Sequence, residues 1–286
     1  MTKGILLFAH NSKDLDYALL AVVSGSFAKK NLGVPVSLVT DKNTVDWMQK
    51  SQIYSQARQL FDNIILTDRP TTDNTRMLHD GATGKTVPFI NSNRQSAWDL
   101  TPYDRTLLID VDYLIMTEQL NNYWDLDYDV MISSEINDVY SSDRVGYHDR
   151  YISDTGVHLY WATTVMFTKN QKSQQFFKLV NSIRENYSVY GDIYRFNSAQ
   201  YRNDISFSVA KHILGGFVTD LSGALPPVLT AQDTDVLISA ADNQLTFLIN
   251  NKSNQQYFAA AFKDTDIHIM NKQSLVRNAK QLMEML

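Results

Sequence analysis

A chain of 286 residues, 44% hydrophobic and 20% charged with a formal net charge of −5, is large enough to bury a core without staples. Eleven glycines, six prolines and 11% aromatic residues exclude a fibrous or disordered chain, and the acidic balance excludes a nucleic-acid binder working through overall charge. The absence of cysteine excludes disulfides, thiolate zinc sites and a cysteine nucleophile, so any metal must be held by oxygen or imidazole.

Residues 4–9 read as a buried strand, and 14–30 place Leu15, Leu19, Val22 and Phe27 at helical spacing. Residues 34–40 form a second strand ending at Asp41, 45–57 a second helix and 61–66 a third strand. This βαβαβ alternation predicts an α/β fold whose mixed, mostly parallel central sheet is flanked by helices, with ligands outside the carboxyl ends of the strands. Residues 69–93, rich in Thr, Asp, Asn and Gly, read as a long connection, and 92–99 as a short helix. A strand over 105–116 follows (RTLLIDVDYLIM), then strands over 128–133 and 159–167 around a polar loop at 137–156. Helices are expected over 169–187 and 204–213, short strands around Val236, Leu245 and Ile267, and a last helix over 273–286. That helix either docks on its own domain or pairs in a homodimer. The N-terminal apolar run is five residues, and no stretch reaches the roughly 18 residues of a membrane span, so the chain reads as one cytoplasmic domain, 1–286, with halves 1–116 and 117–286.

The strand over 105–116 demands burial on both faces, yet Asp110 and Asp112 interrupt it. In an extended chain these two share a face, where unpaired carboxylates would cost several kcal/mol if buried. Either both sit in a solvated turn, or a divalent cation removes the cost; oxygen ligands suit magnesium or manganese.

Here the chain resembles the GT-A glycosyltransferases, whose Asp-x-Asp motif ends a central strand of a Rossmann-like sheet and holds a divalent ion on a nucleotide sugar's diphosphate. The local pattern LLIDVDYLI and the element order over roughly the first 170 residues carry the resemblance. It implies that Asp110 and Val111 contact the donor, with Asp110 and Asp112 at the metal. Ala9, His10, Asp14, Tyr17 and Asp41 would form the nucleoside pocket. Residues 266–272 (DIHIMNK) resemble the late histidine motif of retaining GT-A enzymes similar to glycogenin, which makes His268 the third metal ligand, favouring Mn2+ over Mg2+, and Lys272 a phosphate contact. The glycine of that family's longer spacing is missing here. So are the Asn and Gly of its sugar-contacting strand, where this chain has WATTVMF.

Arg94, opening the short helix with Asn91, Asn93 and Trp98 nearby, suits a diphosphate or sugar through its guanidinium fork. Arg76 and Lys85 lie in the long connection with no spacing that assigns them a task. Asp204, beside Arg202 and Asn203, resembles the acidic residue those enzymes present near the anomeric carbon; it is equally a helix cap. Glu135, after a strand, would be the general base of an inverting enzyme or simply a locally hydrogen-bonded carboxylate. The leading expectation is a metal-dependent glycosyltransferase using a UDP-sugar and an unknown glycan, lipid or protein acceptor, with retention of configuration. The rivals are a nucleotidyltransferase, which would carry a Gly-rich, Arg-containing loop where this chain has FAHNSKDLD, and an aspartate-nucleophile phosphatase, which would carry Asp-x-Asp-Gly-Thr after its first strand. A non-catalytic nucleotide-sugar or glycan binder stands as a third.

Overall fold

The computed structural model describes residues 1–51, 53–69, 74–81, 83–219, 224–251 and 256–286. Strand β1 (Lys3–Phe8), helix α1 (Tyr17–Leu32), β2 (Val36–Thr40), α2 (Lys42–Lys50), α3 (Tyr54–Leu60) and β3 (Asn63–Leu66) make up the βαβαβ start. Local chemistry sets these limits. Asp16 accepts from the Leu19 amide to open α1, and Gly33, at φ 65°, closes it with its N–H on the Lys29 carbonyl. Asp41 caps α2 through the Thr44 amide. The single helix expected over 45–57 is two, because Ser51 takes the Trp47 carbonyl with both its amide and its hydroxyl and ends α2 there.

The connection expected over 69–93 contains an antiparallel hairpin, β4 (Thr75–Asp80) and β5 (Thr83–Pro88), while residues 70–73 and 82 lie outside the described residues. After α4 (Ala97–Leu100) comes β6 (Arg105–Ile109), and the strand expected to continue to Met116 breaks at Asp110. Its remainder, β7 (Tyr113–Leu114), joins another sheet. Then follow β8 (Val130–Ser133), β9 (Ile136–Asp138), β10 (Trp161–Thr168), α5 (Gln171–Glu185), α6 (Tyr187–Tyr194) and α7 (Asn203–Leu214). The tail holds β11 (Val228–Ala231), β12 (Val236–Ala241), β13 (Gln244–Asn251), β14 (Gln256–Lys263), β15 (Ile267–Ile269), α8 (Lys272–Arg277) and α9 (Ala279–Glu284).

The main sheet runs β3-β2-β1-β6-β10-β8 and is parallel except at β10, as the alternation predicts. Helices cover both faces. Ile5 and Leu7 of β1 pack with α1 through Leu20 and Phe27, whereas Leu6 and Phe8 face α5 and α7 through Phe177 and Phe207. Burial on both sides explains why β1 is uniformly apolar instead of alternating. Strand order reverses between β1 and β6, the switch point where such sheets leave a crevice. A second sheet, β7-β15-β11-β9, abuts that point. The C-terminal helix docks on its own chain: Leu282 is fully buried and α9 packs on α1 and β12. No helix among the described residues is long and apolar enough to cross a membrane.

Candidate active site

At the end of β6 the Asp110 amide bonds the Thr163 carbonyl of β10 at 3.0 Å, and the Tyr113 amide returns to the Asp110 carbonyl at 3.2 Å. The two aspartates therefore meet across a tight turn and not along one face of a strand. Strand β15 then pairs with β7, setting His268 opposite Tyr113, while the Ile269 amide bonds the Asp112 carbonyl at 2.8 Å. Sheet register thus brings a histidine more than 150 positions away in sequence onto the aspartate pair. One donor atom each from Asp110, Asp112 and His268 lies within 4.8 Å of the others, a set able to hold a metal ion.

Asp112 and His268 are buried, and the Asp110 side chain is about one-third open. Arg94 Nη1 lies 2.9 Å from Asp110 Oδ1, His268 Nε2 lies 3.3 Å from Asp112 Oδ2, and Lys272 Nζ pairs with the same Asp112 oxygen. Burial works to raise the Asp112 pKa, but the Lys272 ammonium and His268 overcome it and hold the carboxyl well below the ordinary range. Asp110 moves the other way: burial raises its pKa and Arg94 only partly offsets this, with Asp112 adding repulsion. His268 Nδ1 and the Nε and Nη2 of Arg94 are buried without hydrogen-bond partners among the described residues. A carboxylate pair, an imidazole with a free nitrogen and a half-used guanidinium form a donor set that fits a borderline divalent cation with an anionic ligand.

These groups line one side of a cavity of ≈ 350 Å³. Tyr17, Arg94, Asp110, Val111, Asp112, Asp204, His268 and Lys272, all singled out from the sequence, come together around it. Arg202 takes both Asp204 oxygens, its Nε at 3.1 Å from Oδ1, so that carboxylate is a charge already held in place. Trp161, Ala162 and Thr163 also reach the cavity, at a register shift between β10 and β8 that turns the strand there.

The other nucleoside-pocket candidates do not line the cavity. Ala9 is fully buried in the sheet, its amide on the Val39 carbonyl. His10 holds Asn91 Oδ1 with its amide at 2.8 Å and Nδ1 at 3.0 Å, and burial keeps its pKa below the ordinary value. Asp14 pairs with Lys85 at 2.9 Å. Asp41 is spent on its helix cap and on Arg69, 2.7 Å away. Glu135 is exposed beyond β8, with its carbonyl accepting the Val228 amide; the structure does not bring it to the cavity, because β8 ends away from the switch point at the sheet edge. Trp98 instead bonds Ser173 Oγ.

Sequence reasoning missed Phe89, Asp149, Gln200, Tyr201 and Met270 and gave Arg76 no task, yet all six line the cavity. Arg76 and Phe89 arrive on the hairpin. Its signal was present, since Asp80–Gly81 between extended segments is a turn dipeptide, and Gly81 has φ 69°. Burial opposes the Arg76 charge, but Tyr17, Asp112 and Asp110 raise its pKa overall.

No family model and no curated protein sequence matches the chain. Among solved structures it is similar to the galactosyltransferase LgtC in complex with donor and acceptor sugar analogs, at 13% identity over 79% of this chain and 73% of that one, with a TM-score of 0.45. It is also similar to the glycosyltransferase GlyE of Streptococcus pneumoniae TIGR4 (13% identity, 75% of this chain and 43% of that one, TM-score 0.41) and to the PaToxG glycosyltransferase (12%, 75% and 70%, TM-score 0.40). At such identities and scores, function rests on the residues of the site itself.

Proposed function

We propose that the protein transfers a sugar from a nucleoside diphosphate sugar, a UDP-sugar by the resemblance of its motifs, to a hydroxyl of an unidentified glycan, lipid or protein acceptor. The observation that carries this reading is the convergence of Asp110, Asp112 and His268 within 4.8 Å, beside Lys272 and Arg94, at the switch point of a mostly parallel sheet. Those three residues would hold Mn2+ or Mg2+, and the ion, when bound, would neutralise charge developing on the departing diphosphate.

The chain's own side chains supply the rest. Lys272 and Arg94 add fixed positive charge where the leaving group departs. Asp204, held by Arg202, places a fixed negative charge across the cavity, suited to a sugar carbon that becomes positive as its bond to phosphate oxygen breaks. The acceptor oxygen then forms the new bond to that carbon and gives its proton to the oxygen of the departing diphosphate. Retention of configuration is the favoured course by the resemblance of the late motif that carries His268. A thermal-shift series of UDP-, GDP- and ADP-sugars tests the reading: UDP-sugars raise the melting temperature only when Mn2+ is present, and the absence of a metal-dependent shift with any of them contradicts it.

A further inference from the structure

We propose that Arg76 is a phosphate-binding residue of this site, gripping the diphosphate from the hairpin wall that neither Arg94 nor Lys272 occupies; this rests on the nucleotide-sugar reading above. Four Lys or Arg side chains line the cavity. Arg94 holds Asp110, Lys272 holds Asp112 and Arg202 holds Asp204, while Arg76 forms no ion pair with any carboxylate among the described residues. It is nonetheless half-buried, where a guanidinium is costly unless an anion meets it.

Its position names the anion. The guanidinium lies 5.0 Å from the centroid of Phe89, which backs it, and lines the cavity together with Tyr17, at the start of α1 beyond the end of β1. Asp112 and Asp110 line the same cavity, and their charge favours the guanidinium. A cation held at Asp110 and Asp112 would sit on the donor's diphosphate, and Arg76 lines the same cavity, so those phosphates lie within its reach. A planar fork suits two phosphate oxygens at once. The wall that carries it is tied down: Arg277 holds Asp80 at 2.5 Å, Lys85 holds Asp14 at 2.9 Å, and Asn74 Oδ1 accepts the Tyr201 amide at 3.2 Å.

Calorimetric titration of the wild type, Arg76→Met and Arg76→Lys with uridine, UDP and inorganic pyrophosphate, each with Mn2+, tests the assignment. Arg76→Met should weaken UDP and pyrophosphate about tenfold or more and leave uridine within about twofold, with Arg76→Lys recovering part of the loss through its point charge. Unchanged UDP and pyrophosphate affinity in Arg76→Met overturns it, as does an equal loss for uridine, the mark of a wall that has collapsed. If the wild type binds neither UDP nor pyrophosphate, the nucleotide-sugar reading falls, and this assignment with it.

Discussion

Asp112 is charged, buried and paired with the Lys272 ammonium, which makes Lys272 as much a structural residue as a functional one. Removing one partner of a buried ion pair leaves an uncompensated charge, at a cost of about 3–5 kcal/mol. Lys272→Ala should therefore destabilise the metal-free protein by about that much in urea unfolding, and Mn2+ should restore part of the loss, since a divalent ion supplies the missing charge. A loss that Mn2+ leaves untouched would count against Asp112 as a ligand. Asp112→Ala and His268→Ala should each weaken Mn2+ binding at least about tenfold by calorimetry. The aspartate pair was legible in the sequence because two carboxylates inside an apolar run must either turn out to solvent or be met by a cation. Arg76 and Tyr201 were not, since nothing local to them marks a ligand; only the hairpin and the approach to α7 bring them to the cavity.

At the scale of elements, the site depends on where β1, β2 and β6 end. Asp41 ends β2 and starts α2: burial raises its pKa, but hydrogen bonds from Thr44 and Arg69 lower it further, so the folded value lies below the ordinary one. A carboxyl of lowered pKa stabilises the fold above its unfolded pKa, about 4, and loses that contribution as pH falls through the folded value. Asp41→Ala should thus lose about 1–3 kcal/mol at neutral pH, a deficit that shrinks below about pH 4 when the two proteins are unfolded in urea side by side. Gly4 controls how closely β1 is covered: a Cβ there would stand 2.4 Å from the ring of Tyr103, whose hydroxyl bonds Ser37 at 2.6 Å. Gly4→Ala should cost about 1–3 kcal/mol through overpacking, seen as a lower urea midpoint with an unchanged slope. Strand and helix existence could be read from apolar runs and caps. The break of the 105–116 strand could not, because which sheet receives Tyr113 and Leu114 depends on β15, far away in sequence.

For the whole molecule, the sheet with its reversal between β1 and β6 follows from the βαβαβ start, and the acidic, cysteine-free composition already confined a metal to carboxylate and imidazole. The second sheet was not foreseeable from its pieces, as strands of two to four residues carry too little pattern. Yet that sheet turns a distant histidine into a neighbour of Asp112. The net charge of −5 is no obstacle to a phosphate ligand where Arg76, Arg94 and Lys272 line one cavity and a bound cation would add its own charge. The most direct measurement is release of UDP from a panel of UDP-sugars with Mn2+ and with chelator, for the wild type, Asp112→Ala and His268→Ala. The account predicts release by the wild type that chelator abolishes and that both variants lose about a hundredfold or more. Release that persists in chelator, or at the wild-type rate in both variants, would contradict it.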